Sequence, residues 1–233
     1  MCQQETLYYA EKTTVICICG STSSGKSTLA KALNKHYQVV SVCQDLYRSK
    51  MNDEHKMDPE LKGNMECMES VDFNKFETEI NNMLSKYRNN RLLFAEGYLS
   101  CCQQEVVTRC FDAIIFLDTT DREVAKKRRW NRTVTKHPNR GDDFNEFSQK
   151  FDSLIWKYYM KYRNLQMDNI VKSGKEFVVI GVDDLTSKEV FHRAVEFIDL
   201  FKKNDLESIR NSEKYCRPPS WYLDDNALMN DSR

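Results

Sequence analysis

An α/β fold with a central parallel sheet of five strands, helices on both faces and a mobile lid is the fold class predicted by this 233-residue sequence. Three observations predict it. Short runs that are apolar throughout alternate with longer stretches of helical spacing, the pattern of strands buried on both faces. A Gly/Ser-rich turn, Gly20 to Ser27, joins the first such run to the first helical stretch. The length suits one α/β domain, and 40% hydrophobic with 30% charged residues describes a globular chain with material for a core.

The elements follow in order. Thr14 to Cys19 reads as the first strand, Ser27 to His36 as a helix and Val39 to Cys43 as the second strand. Leu46 to Cys67 is polar and has no sustained period; loops of that length are functional or mis-assigned, and 46–67 is read as a substrate flap. Val71, Phe73, Phe76, Ile80, Met83 and Leu84 give Ser70–Tyr87 helical spacing. Leu92 to Ala95 and Ala113 to Leu117 are the third and fourth strands. Thr120-Asp121-Arg122-Glu123 has the form of a capping box opening a helix to about Arg129. Gly141-Asp142-Asp143, after Pro138, reads as a turn within a lid spanning 120–150. Phe151 to Asn164 is helical with aromatic spacing, and Phe177 to Ile180 is the fifth strand. A second capping box, Thr186 to Glu189, opens a last helix to about Phe201. The expected organisation is an extension over 1–12, one domain over 13–203, and a polar tail over 204–233. Pro218 and Pro219 mark that tail as mobile, with no assigned function.

Composition excludes several classes. Lys+Arg 35 balance Asp+Glu 35, so global charge recruits neither nucleic acid nor an anionic membrane. No apolar run approaches the roughly 20 residues of a membrane helix, and the amino terminus lacks the plan of a signal peptide. Nine cysteines occur without a C-x-x-C pair. The sequence therefore predicts neither a zinc site nor a disulfide framework, and reduced thiols in the cytoplasm. The expected protein is a monomer or weak homo-oligomer.

Gly20-Ser21-Thr22-Ser23-Ser24-Gly25-Lys26-Ser27 matches the phosphate-binding P-loop, with the required strand before it and helix after it. Glycines let the backbone curl close to a polyphosphate, and a helix N-terminus favours the anion. Lys26 is expected to reach the β- and γ-phosphates, and Ser27 to offer its hydroxyl to Mg²⁺. The fold class is thereby a three-layer P-loop NTPase. Gly20 through Thr28 are the candidate ATP-binding residues. Asp45, just past the second strand, sits where strand ends line the ligand crevice. It is positioned to hold Mg²⁺ or to accept a proton from an attacking hydroxyl; an Asx turn is the alternative. Glu96 follows four apolar residues, which favours a metal-linked or hydrogen-bonded carboxylate over a turn residue beside Gly97. Lys26-flanked chemistry aside, the run Lys126-Lys127-Arg128-Arg129-Trp130-Asn131-Arg132 is either a solvated helix end or an arginine lid over transferred phosphate. A GTP-dependent switch protein would carry N-K-x-D, and Asn74-Lys75-Phe76-Glu77 fails that pattern.

The pieces Gly20–Leu29, Gln44-Asp45, Glu96-Gly97-Tyr98, Lys126–Arg132 and Phe151-Asp152…Trp156…Tyr159…Tyr162-Arg163 resemble the uridine-kinase-like P-loop nucleoside kinases, nicotinamide riboside kinases among them. The likeness spans roughly residues 13 to 200. It implies ATP as phosphoryl donor with Mg²⁺, and a small-molecule nucleoside as acceptor. The implied reaction phosphorylates the 5′-hydroxyl of nicotinamide riboside or nicotinic acid riboside in NAD biosynthesis. It implies Asp45 as general base and Mg²⁺ partner, Arg128 and Arg132 on ATP, and Arg129 on the nucleoside. Lys26 and Glu96 complete the catalytic set. Asp45, Leu46, Tyr47, Arg48, Met65 and Glu66 are the implied substrate residues, and Ser27 with Asp45 the implied metal ligands. The chain departs from the family pattern at Leu46-Tyr47-Arg48, at Met65-Glu66 and at Val134, where stacking aromatics or an acid would stand. Tyr47 or Trp130 is the candidate replacement. A uridine/cytidine kinase and a catalytically impaired nucleotide-binding interaction protein are the alternatives.

Overall fold

The computed structural model describes residues 12–49, 64–87, 91–138 and 143–223. Five parallel strands form one sheet in the order β2-β3-β1-β4-β5: β1 (Thr14–Gly20), β2 (Ser41–Cys43), β3 (Leu92–Glu96), β4 (Ala113–Asp118) and β5 (Glu176–Gly181). Central β1 pairs Thr14–Ile18 with Leu92–Glu96 on one side and Ile16–Gly20 with Ala113–Leu117 on the other. Successive strand residues face opposite ways, so Val15, Cys17 and Cys19 enter one core with Phe76, Phe116 and Tyr159. Ile16 and Ile18 enter the other with Leu29, Leu33 and Phe197. This is why the strands read as apolar throughout: neither face meets water.

The helices covering the sheet are α1 (Lys26–Tyr37), α2 (Phe73–Lys86), α3 (Gln104–Cys110), α4 (Arg122–Lys136), α5 (Phe144–Lys150), α6 (Lys157–Ser173), α7 (Ser187–Lys202) and α8 (Leu206–Asn211). A π-helical stretch, Phe151–Trp156, joins α5 to α6, so the expected helix over 151–164 is one part of a longer rod. Helix α3 was not anticipated; it is only seven residues long, too short to display a period.

The two capping boxes part company. Thr186 and Glu189 form theirs at α7 with reciprocal bonds. Thr120 does not cap α4. Its hydroxyl donates to Asp183 (2.8 Å), and the next residue, Asp121, accepts from the amides of Glu123 and Val124 instead. Helix α4 also continues past Arg129 to Lys136, stopping where Pro138 disfavours a further helical residue before it. The basic run therefore lies inside a helix rather than at its end.

The expectation of a mobile tail from residue 204 is corrected for residues 204–223. Ile209 of α8 is fully buried, Arg210 pairs with Glu176 at 2.7 Å, and Tyr215 bridges antiparallel to Val178. Trp221 closes the strap: its indole donates to Asp118 at 2.8 Å and its ring lies 3.5 Å from the Arg163 guanidinium. The reason is chemical rather than compositional. The segment is polar on average but carries apolar and aromatic anchors at the places where it touches the sheet. Residues 1–11 and 224–233, the outer parts of the expected extension and tail, lie outside the described residues, as do 50–63 of the flap and 139–142 of the lid turn.

Asp118, at the end of β4, gathers this region. It accepts two bonds from Arg163 (3.0 and 2.7 Å) and one from Tyr159 (2.8 Å), besides that from Trp221. Both members of the ion pair are about 5% exposed. Removing one partner leaves the other charge buried and unpaired, so Asp118→Ala is expected to lower unfolding free energy by about 3–5 kcal/mol, read by urea denaturation.

Candidate active site

The strand order brings the carboxyl ends of β1, β3 and β2 side by side, which is where open α/β sheets bind ligands. Gly20 leaves β1 with φ +126°, and a Cβ there would overlap the Leu117 carbonyl. The backbone then turns tightly against β4, with the Ser21 amide bonded to that same carbonyl at 3.3 Å. Gly25, φ +96°, opens α1. Ser23 (φ 59°) takes the left-handed region without being glycine, and the hydroxyls of Ser23 and Ser24 are buried without a partner among the described residues. A cradle of this kind presents backbone amides inward.

Lys26 donates to the carbonyls of Gly20 (3.1 Å) and Ser21 (2.5 Å). Burial lowers its pKa, with the nearby carboxylates of Asp45 and Glu96 pulling the other way. Ser27 donates to Glu96 at 2.9 Å. Glu96 is 6% exposed, so its charge is supported chiefly by this hydroxyl and by Lys26. Asp45 differs: its side chain is 58% exposed and meets Arg48 at 3.4 Å. Its backbone is held by its neighbour. Gln44 is buried and accepts from the Leu99 amide at 3.0 Å, anchoring the 3₁₀ turn Gln44–Leu46. An all-oxygen set of Ser27, Glu96 and Asp45 suits a hard divalent cation such as Mg²⁺.

Lys26, Ser27 and Asp45 face a cavity of about 520 Å³, with Glu96 behind Ser27. Lys26, Lys31, Arg48, Arg129, Arg132 and Lys136 line it against the carboxylates of Asp45 and Glu66. A chain with zero formal net charge thus concentrates positive charge where a polyphosphate would lie. Arg129 spans the space, donating to Thr22 (2.6 Å) and toward Glu66 (3.5 Å). Helical spacing sorts the basic run. Arg129 and Arg132, three residues apart, share the face toward the phosphate loop, and Arg128 lines the same cavity while donating to the carbonyls of Val182 (2.8 Å) and Asp183 (3.0 Å) at its side. Arg128 also borders a neighbouring cavity of about 290 Å³, walled by Leu29, Ala32, Val182, Leu185 and Val190 beside Ser23–Gly25. Its wall mixes these apolar side chains with Ser23, Ser24, Thr28, Ser187 and the Arg128 guanidinium.

Met65, Glu66 and Arg48 line the larger cavity, but Leu46 and Tyr47 do not. Leu46 is 76% exposed, and Tyr47 packs on Phe76 (centroids 6.1 Å apart), so Tyr47 serves the core instead. Trp130 is spent on Phe144 and Phe147, pinning α4 to α5. Neither supplies the missing stacking aromatic. Two contributors escaped the sequence reading. Tyr98 lines the cavity with its hydroxyl buried and unbonded among the described residues. The 182–187 loop walls the smaller cavity; the rule that strand ends line the crevice, applied to β5, is the signal that would have found it.

No family model matches the chain. It is 28% identical to human nicotinamide riboside kinase 1 over 169 residues, covering 67% of this chain and 80% of that protein. Among solved structures it resembles D-glycerate 3-kinase from Cryptococcus neoformans (TM-score 0.54, 11% identity, 76% of this chain and 88% of that one). A protein described as a fructose transport system kinase from Silicibacter sp. also superposes (TM-score 0.51, 13% identity, 65% of this chain and 85% of that one). The fold is that of the P-loop kinases: a three-layer α/β architecture around a parallel five-stranded sheet. No helix of the described residues is long and apolar enough to cross a membrane.

Burial raises the pKa of Glu66, against the opposing pull of Arg129, Lys26 and Arg48. The folded state therefore holds this proton above the unfolded value of about 4.3, and stability is lost as pH rises through the window that begins there. Glu66→Gln removes that loss. Its melting temperature relative to the parent is expected to be higher at pH 7 than at pH 4, where both proteins carry a neutral side chain; an unchanged difference across that range would contradict the assignment.

Proposed function

We propose that this protein is an ATP-dependent small-molecule kinase that phosphorylates the 5′-hydroxyl of a ribonucleoside, with nicotinamide riboside or nicotinic acid riboside as acceptor and NAD biosynthesis as its context. One observation carries the reading: a P-loop with Lys26 and Ser27 and the exposed Asp45 converge on one cavity with Arg128, Arg129 and Arg132, and the buried Glu96 stands behind Ser27, accepting its hydroxyl. The likeness to human nicotinamide riboside kinase 1 supports the acceptor class.

Ser27, Asp45 and Glu96 would hold Mg²⁺, which when bound neutralises phosphate charge. Lys26 swings from the loop carbonyls to the phosphates. Asp45 orients the acceptor hydroxyl and takes its proton as the bond to phosphorus forms. Arg129 and Arg132 meet negative charge spreading over the transferred group. Glu66, beside Arg129, is placed for a ribose hydroxyl. Helix α4, closing over the phosphates, excludes the water that would hydrolyse ATP. The cavity beside Arg128, with Leu29, Ala32, Val182, Leu185 and Val190 on its wall, takes the adenine. Eight free thiols among the described residues accord with a reducing, cytoplasmic setting.

The test is a nucleoside panel with ATP and Mg²⁺, read by product mass. Nicotinamide riboside is expected to gain one phosphoryl group; preferred turnover of uridine or cytidine would move the acceptor to a pyrimidine nucleoside, and ATP binding without any acceptor-dependent ADP would leave a non-catalytic binding protein. Asp45→Ala is expected to lower kcat roughly 10²–10⁴-fold, as for a positioned proton acceptor. Lys26→Ala removes charge from the phosphate cradle and is expected to impair both kcat and the KM for ATP. Near-parental turnover in either variant rejects the mechanism.

A further inference from the structure

Three thiols that the kinase chemistry does not use lie directly beneath the phosphate loop. Cys17 and Cys19 are two apart on β1 and so point to the same face of the sheet, toward Cys101 on the segment after β3. The Cys101 sulfur is 3.7 Å from that of Cys17 and 3.4 Å from that of Cys19, and all three sulfurs lie within 4.8 Å of one another. All three residues are fully buried. Ser100, also fully buried, brings its hydroxyl within hydrogen-bonding range of the Cys17 thiol, whose pKa it draws down against burial. Asn169 holds the turn by donating to the Cys101 carbonyl at 2.9 Å.

We propose that Cys17, Cys19 and Cys101 form a structural binding site for a thiophilic divalent d¹⁰ cation of the Zn²⁺ class, with the Ser100 hydroxyl as a neutral fourth donor. Zinc–sulfur bonds of about 2.3 Å in tetrahedral geometry set sulfurs about 3.8 Å apart. The two contacts of 3.4 and 3.7 Å need adjustments of a few tenths of an ångström. Soft sulfur donors exclude Mg²⁺ and Ca²⁺, which take oxygen. On binding, the ion replaces the thiol protons, which leave to solvent; no electron is transferred and no co-reactant is required. Three thiolates around a dication leave one negative charge, and the Lys26 ammonium already acts on Cys19 from the phosphate loop. Burial raises the thiols of Cys17 and Cys101. Cys19 is drawn down to about 5, because hydrogen bonds from Cys101 and Cys17 and the charge of Lys26 outweigh its burial. The loaded ion ties the end of β1, immediately before Gly20, to the turn after β3 and so stiffens the floor of the loop. The absence of a C-x-x-C pair hid this site: Cys17 and Cys19 form a C-x-C on a strand, and the third ligand comes from 82 residues away.

The proposal is independent of the acceptor, and its test involves no nucleotide. Full-length protein free of histidine tags, expressed with added zinc and kept reduced, is expected to carry one zinc per chain by elemental analysis. X-ray absorption at the zinc edge is expected to give three sulfurs at about 2.3 Å and one lighter donor. Protein refolded with Co²⁺ is expected to show thiolate-to-metal absorption and tetrahedral bands. Cys101→Ser should abolish stoichiometric zinc while Cys110→Ser retains it. Metal-free parental protein from zinc-supplemented cells, a zinc shell of nitrogen and oxygen only, or equal zinc in Cys101→Ser overturns the site. The absorption measurement needs no variant and decides the matter even if Cys101→Ser fails to fold.

Discussion

Everything at the catalytic edge depends on how closely β1 passes β4 at Gly20. A side chain there would collide with the Leu117 carbonyl, and without that approach the chain could not turn above the sheet into the phosphate loop. Where the loop lands decides where α1 begins. Where α1 begins decides that Ser27 meets Glu96 at 2.9 Å and that Lys26 enters the loop. The register of β1 against β3, which places Ile18 opposite Glu96, completes the set. One backbone contact thus transmits its geometry to three side chains.

The two strand-end carboxylates illustrate how environment divides labour. Glu96 is enclosed and bonded, and desolvating such a charge is costly unless partners are supplied; Ser27 and Lys26 supply them. Asp45 is exposed and, among the described residues, meets Arg48 in a loose contact, which suits a carboxylate that receives a ligand. Around them the helix α4 face carrying Arg129 and Arg132 makes a basic wall in a molecule of zero formal net charge. Sequence totals average that wall away.

The strap over residues 204–223 changes the picture of the chain's end. Tyr215 and Ile209 bury against the sheet, Trp221 packs partly buried against the core, and Asp118 binds Trp221, Arg163 and Tyr159 together. Asp118 terminates β4, the strand that leads into α4, so the strap braces the root of the helix bearing the arginines. On the same face of the sheet as Tyr159 and Trp221, the thiols of Cys17, Cys19 and Cys101 occupy the space beneath the loop. Both devices support the phosphate-binding edge from below.

Sequence by itself determined the parallel sheet, the phosphate loop and the two carboxylates at strand ends, because each is written in neighbouring residues: apolar runs, glycines at loop spacing, an acid just past a strand. It also determined the α7 cap, where Thr186 and Glu189 bond each other reciprocally. Only the tertiary structure decided the rest. Thr120 abandoned its cap for Asp183, Tyr47 went to core packing and Trp130 to the aromatics of α5, Arg128 was tied to the Val182 and Asp183 carbonyls at the cavity's side, and the polar tail found its anchors on β5 and α6. These choices turn on partners distant in the chain, whose positions are set by packing between layers, and local residue order carries no record of them.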